Sequence, residues 1–214
     1  MKYTIVLLLA AGLMAGGALA ETVTFDTMPL GAVPKGWLAG VTGGGAPNWQ
    51  VVTNDSESGR PRVLKQGAEF AGHVYPWCVK RDTALKDGFV QVKFKPVSGK
   101  EDEAGGLIWR WQDGDNYYVA RANAAEDNVT IYHTVKGTRT EFKRTAMKVA
   151  PNEWHTLRVD FKGSHFTVTY DGQKAIEWDD DTFPKAGSVG VWTKADSVTL
   201  FDDFRWKGRL VHQQ

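Results

Sequence analysis

Cysteine is all but missing. Cys78 is the single one in 214 residues, so no disulfide can form within the chain and stability must come from packing. Set in Tyr-Pro-Trp-Cys-Val, it reads as a small buried hydrophobe rather than a reactive thiol. A surplus of either charge is missing too: 26 Lys plus Arg stand against 25 Asp plus Glu, which removes the electrostatic case for nucleic acid or an anionic membrane surface. Long apolar runs are confined to Ile5–Leu13, preceded by Lys2 and followed by small residues ending Ala18-Leu19-Ala20. That is the pattern of a secretory signal peptide over residues 1–20 with an Ala-x-Ala cleavage site, too short to span a bilayer. No cysteine follows it, so a bacterial lipid anchor is not indicated. Cleavage takes away Lys2 and leaves 25 residues of each sign. The expected product, residues 21–214, is exported to a periplasm or secreted, and has a size that suits one domain.

Helical periodicity is also lacking, as are the familiar catalytic signatures. There is no His-Glu-x-x-His, no Gly-x-Ser-x-Gly and no Cys-x-x-Cys, so zinc-protease, α/β-hydrolase and thiol-metal chemistry find no support. The five histidines are scattered, and His155 at the start of a strand reads as structural. Retaining glycosidases need two carboxylates about 5–5.5 Å apart. The candidates here, Glu101-Asp102-Glu103, Glu177 and Asp179-Asp180-Asp181, read as solvated loop charges. The run Gly43-Gly44-Gly45 neither follows a clear strand nor opens a helix, and reads as a loop rather than a nucleotide fingerprint.

What the chain does have is short segments alternating with period two between turn residues. Strands are predicted over 88–95, 107–112, 117–123, 129–135, 154–161, 165–170, 189–193 and 197–206. Turns are predicted at Asp113 to Asn116, Lys136-Gly137, Lys162-Gly163 and Asp171-Gly172. The amino-terminal third reads as loops within the same domain. The chain is therefore all β.

Two arginines stand out in GGLIWRWQDGDNYYVARAN, residues 105–123. If Asp113 to Asn116 is a four-residue loop, Gln112 faces Tyr117, Trp111 faces Tyr118, Trp109 faces Ala120 and Leu107 faces Ala122. Large residues then oppose small ones on a core face. The other face carries Arg110, Arg121 and Asn123 among Ile108, Val119 and Tyr117, with the arginines as diagonal neighbours. Buried guanidinium groups need acceptors. Either the two are salt-bridged on a solvated face, or they donate to a polyhydroxylated ligand stacked on aromatic rings. A second constellation, Trp192-Thr193-Lys194-Ala195-Asp196, offers a stacking ring, a donor and an acceptor at a strand end, or else a capped strand with Lys194 paired to Asp196. A third, Asn123 to Asn128, is either a simple turn or a source of acceptors folded over the arginine face.

The segments FDTMPLGAVPKGW, KDGFVQVKFK, AGGLIWRWQDGDNYYVARANAAEDNVTIY, NEWHTLRVDF and GSVGVWTKADSVTLFDDF resemble the concanavalin A-like lectin/glucanase superfamily. Within it they resemble the secreted bacterial proteins of the 3-keto-disaccharide hydrolase (DUF1080) domain, some of them described as family 16 glycoside hydrolase-like. The resemblance implies a jelly-roll β-sandwich of two antiparallel sheets with carbohydrate bound across the concave sheet or its rim. It places Arg110, Arg121 and Asn123 on that face, with Trp192, Lys194 and Asp196 nearby. The family 16 catalytic spacing Glu-x-Asp-x-x-Glu is absent, and Glu103-Ala104-Gly105-Gly106 stands where Asn-Ser-Gly precedes the arginine strand in the family. Some superfamily members bind structural calcium between terminal strands. Asp26, Asp202 and Asp203 could supply oxygens for it or simply bond loop amides, and no metal or cofactor is assigned. The expected function is an exported carbohydrate-recognising domain with Arg110, Arg121, Asn123, Trp192, Lys194 and Asp196 as ligand contacts. The alternatives are a glycoside hydrolase acting on a (3-keto-)disaccharide or glucan, and a non-catalytic cell-envelope interaction protein. The expected partner is carbohydrate, with no nucleic acid and no membrane span, and nothing in the sequence sets an oligomeric state.

Overall fold

A computed structural model describes residues 19–55, 58 and 61–210, with side chains described as far as residue 208. The expected signal peptide lies almost wholly outside these residues. The described chain holds fourteen strands: β1 (Glu21–Val23), β2 (Trp37–Thr42), β3 (Trp49–Thr53), β4 (Arg62–Gln66), β5 (Tyr75–Ser98), β6 (Ala104–Asp113), β7 (Asn116–Asn123), β8 (Asn128–Val135), β9 (Thr138–Ala146), β10 (His155–Lys162), β11 (His165–Tyr170), β12 (Gln173–Asp179), β13 (Gly187–Trp192) and β14 (Val198–Leu210). Among the described residues no helix is long and apolar enough to cross a membrane.

The architecture is a jelly-roll sandwich of two antiparallel sheets, and β5 belongs to both. Its first half pairs with β2 and β13, placing Cys78 between Ala39 and Val191. Its second half pairs with β10 and β14, placing Phe94 between His155 and Phe201. One layer therefore runs β2, β5, β13, β6, β7, β8, β9. The other runs β12, β11, β10, β5, β14, with β4 and β1 on β14 and β3 on β4. Alternation fixes which side chains go inward: in β10 every second residue, His155, Leu157, Val159 and Phe161, is buried. The core between the layers is aromatic-rich. Trp109 stacks on Tyr118 with centroids 5.3 Å apart and meets the edge of Phe166 at 5.3 Å, while Trp37 meets Phe204 at 5.0 Å. The glycine pair in β6 makes this possible. A Cβ on Gly105 would lie 2.3 Å from the Phe94 ring, and one on Gly106 would lie 3.1 Å from the Trp192 ring on the opposite face.

Turns lie where expected, one of them narrowed to Gly114-Asp115 and another shifted to Gly163-Ser164. Lys136-Gly137 and Asp171-Gly172 both have two successive positive φ angles, as two-residue hairpin loops require. The structure adds strands β1 to β4, the first half of β5, and the charged hairpin strands β9 and β12. The glycine run at Gly43 does follow a strand, β2, and enters a loop with φ near +95° to +104° at all three residues.

The expected β6/β7 register requires correction. Asp113 pairs with Asn116, so the loop is the two residues Gly114-Asp115 and not four, and the next pair is Trp109 with Tyr118, followed by Leu107 with Ala120 and Gly105 with Ala122. Three β6 residues, Arg110 to Gln112, thus face only Tyr117. This bulge places Arg110 at φ 48° and inverts the alternation beyond it. Trp111, expected in the core, packs instead against Trp77 at 5.3 Å on the opposite face. Arg110, expected beside Arg121, turns away from it.

Candidate functional site

The outer face of the β2–β9 layer carries a second aromatic cluster: Tyr75, Trp77 and Val79 from β5, Ile108 from β6, Tyr117 and Val119 from β7, Tyr132 from β8 and Trp192 from β13. The layer is deeply curled here. Arg139 on edge strand β9 brings its Cζ to 4.6 Å from the Tyr75 ring on β5, across β8, β7, β6 and β13. A flat layer would hold those two backbones about 24 Å apart. This is the concave face, and Arg139 spans it, also lying 4.3 Å from the Tyr132 ring and 5.6 Å from that of Trp192.

An ionic chain borders the aromatic floor. The Asp196 carboxylate accepts backbone N–H groups from Lys100 at 2.6 Å, Glu101 at 3.1 Å and Asp102 at 3.0 Å, which fixes the loop before β6. Burial pushes the Asp196 carboxyl up, but these bonds outweigh it and hold the group below the usual carboxylate range. The loop delivers Asp102, fully buried, to the site. Its Oδ1 accepts from Arg121 Nη1 at 2.6 Å and Asn123 Nδ2 at 2.8 Å, and its Oδ2 pairs with Lys194 Nζ. Arg121 also donates through Nη2 to Glu126 Oε2 at 2.6 Å and through Nε to the Tyr132 hydroxyl at 3.1 Å. Glu126 further accepts from Asn128 at 2.9 Å and Arg144 at 3.3 Å, and Arg144 pairs with Glu141 at 2.8 Å. Burial pushes the Glu126 carboxyl up, while the Asn128 bond and the Arg121 and Arg144 charges more than offset it and lower its pKa.

Four of the six residues singled out from sequence, Arg121, Asn123, Lys194 and Asp196, thus meet around Asp102 and its loop. Trp192 lies beside them, fully buried, stacked on Tyr75 at 5.6 Å with 20° between planes. Lys194 pairs with Asp102 and not with Asp196, which is taken by the loop amides. The loop after Asn123 does fold over the face through Glu126, whereas Asp127 turns aside to Lys148 at 2.9 Å.

Arg110 is elsewhere. Its guanidinium is 1% exposed and donates to three backbone carbonyls: Lys86 at 2.9 and 3.2 Å, Phe183 at 2.9 Å and Gly163 at 2.5 Å. It lies over Phe166 of the core, 5.6 Å from the ring centroid. These bonds tie the β10/β11 turn and the segment before β13 to β5.

Sequence reading passed over Asp102, Tyr75, Tyr132 and Arg139. Asp102 sits in an acidic triplet that looks solvated, and Arg139 lies on a strand whose alternation is masked by charge on both faces. The Lys136-Gly137 turn was the available signal, since a two-residue hairpin loop after β8 requires a partner strand.

Among the described residues no group of three or more His, Cys, Asp or Glu side chains is placed to hold a metal ion. Of the three aspartates considered for calcium, Asp26 accepts the Arg62 N–H at 3.0 Å, Asp203 pairs with Lys93 at 2.7 Å, and Asp202 accepts the Asp203 N–H at 2.8 Å.

Among solved structures, the chain is similar to carbohydrate-binding module CBM66 from Bacillus subtilis, with a TM-score of 0.65 and 17% identity over 79% of this chain and 94% of that one. It is also similar to a B. subtilis protein of unknown function with a galectin-like fold, with a TM-score of 0.61 and 12% identity over 92% and 98%. A third is the Bacillus licheniformis β-glucanase, with a TM-score of 0.56 and 14% identity over 91% and 99%. No curated protein matches the chain by sequence. The family model for the 3-keto-alpha-glucoside-1,2-lyase-like domain matches residues 33–207, nearly the whole of both layers, and the chain belongs to that family.

Proposed function

We propose that the chain is an exported carbohydrate-recognising domain that takes a saccharide on the concave face of the β2–β9 layer. The observation that carries this reading is the pairing of an aromatic floor with donors and acceptors on one curled face. Tyr75, Tyr132 and Trp192 form a buried floor that Arg139 covers, while Lys194, Arg139, Arg144, Glu126 and Glu141 supply the polar edge. Charged hydrogen-bonding groups held against an aromatic wall suit the hydroxyl edges of a sugar. In this reading Asp102, Arg121, Asn123 and Asp196 position the edge rather than touch the ligand, because their polar atoms are already engaged. The family is named for a keto-glucoside activity, and one structural neighbour is by its name a carbohydrate-binding module.

Native mass spectrometry tests the reading on protein exported with its own leader and incubated with a mixed pool of oligosaccharides and 3-keto-glycosides. Intact ligand on the wild type, lost or weakened at least tenfold in Lys194→Met, is expected. A pool that leaves no adduct and no new product removes the proposal. The mature amino terminus should be Glu21, which the same spectra report by mass.

A second reading, cleavage of a glycoside, has one observation in its favour besides the family. Glu103, next to Asp102, has its carboxyl pKa raised by burial, the direction that suits a general acid near neutral pH. Product masses growing with time, and abolished in Glu103→Gln, would establish it.

A further inference from the structure

Apart from Arg139, the cations of the concave face each have a carboxylate partner, while the Asp196 carboxylate is held by backbone amides. Lys194, Arg121 and Arg144 are matched by Asp102, Glu126 and Glu141, each cation within ion-pair distance of an anion. Arg139 has no such partner among the described residues. Its guanidinium meets three rings and, among the described residues, no carboxylate, and its Nη1 is buried with no acceptor. The hydroxyls of two of these rings are engaged elsewhere: Tyr132 OH accepts from Arg121, and Tyr75 OH bonds His73 Nδ1 at 3.2 Å.

Aromatic walls favour a cation but leave its N–H groups unsatisfied. They also exclude water, so an acceptor arriving on the open side meets a partly desolvated guanidinium with no carboxylate paired to it. A neutral hydroxyl satisfies the donors without pairing with the charge. A carboxylate does both, and its two oxygens match the planar fork of guanidinium N–H groups.

Resting on the reading that this face binds carbohydrate, we infer that its ligand is an anionic sugar, a uronate or similarly carboxylated saccharide, whose carboxylate pairs with Arg139. Arg110 and Arg121, the arginines that the sequence brings to notice, cannot serve this purpose, because backbone carbonyls hold one and Asp102 and Glu126 hold the other. Arg139 is thus the specificity-determining residue.

The test is calorimetric titration with oligosaccharides of galacturonan, alginate and glucuronan, each beside its carboxyl-reduced neutral form. At least one acidic form should bind about tenfold or more tighter than its reduced twin, and that preference should shrink as salt is raised. Arg139→Gln should bring the ratio of the two affinities to about one, and Arg139→Lys should keep part of it, with near-ultraviolet circular dichroism checking that both variants are folded. Reduced forms binding as well as the acids would overturn the anionic assignment and leave carbohydrate recognition standing. Binding of neither form would overturn both. A preference surviving in folded Arg139→Gln would remove Arg139 from the role, and the wild-type ratio decides the ligand class even if the variant does not fold.

Discussion

Two guanidinium groups without access to water must find acceptors inside the protein, and Arg110 and Arg121 do so by different means. Arg110 collects three main-chain carbonyls from three separate segments, while Arg121 joins a fully buried carboxylate, a half-buried one and a phenol. A lysine at 110 offers a point charge on one stem, so Arg110→Lys leaves carbonyls unsatisfied and should cost about 2–3 kcal/mol. Arg121→Ala leaves buried Asp102 with Lys194 as its one remaining cation and should cost about 3 kcal/mol. Urea unfolding of both variants checks this, and midpoints like that of the wild type would contradict it. Both arginines were legible in the sequence as anomalies among apolar residues. Their partners were not, because a main-chain carbonyl leaves no mark in a sequence and Asp102 lies in an acidic triplet like any surface loop.

At the scale of elements, strands with one apolar and one polar side were readable from alternation, and so were the hairpin turns that demand positive φ. Elements escaped where alternation was masked. In β9 the inward Phe142 is surrounded by charge, and the start of β5 is buried on both faces. Bulges escaped for a different reason: two surplus residues in β6 change pairing without changing composition. A second irregularity, in β14, has a measurable effect. Its register with β5 shifts after Asp202, and Asp203 lies at φ 46°. Burial first, then the neighbouring charges of Asp203 and Asp26, pushes the Asp202 carboxyl up to about 6. The folded protein therefore binds this proton more tightly than the unfolded chain does. The group's support for the fold is complete below about pH 4 and is lost as pH rises through 6. Asp202→Asn, which mimics the protonated form, should raise Tm by about 2–4 °C at pH 7.5, for a gain near 1 kcal/mol after solvent screening. At pH 3.5 it should bring no gain. Melting curves at the two pH values decide, and an equal shift at both would exclude Asp202 as the titrating group.

For the whole molecule, fold class was the most legible property, since all-β patterning over one domain-sized length leaves few architectures. The site was legible only in part, because the curvature that brings β9 over β5 is a property of the assembled layer and of no single segment. That assembly has one strand in common. With β5 hydrogen-bonded in both layers, neither can separate while the other stays intact. Heating should therefore give one calorimetric transition whose van't Hoff and measured enthalpies agree, whereas two resolved transitions would mean that the layers melt independently.

Cys78 lies in this common strand, between Ala39 and Val191, fully buried and with its thiol pKa raised by burial. A thiol reagent added to the native protein can reach its one target only in molecules whose shared strand has come apart. The rate of modification then counts unfolding events directly, and the chain carries its own single-site clock for kinetic stability, with no label introduced.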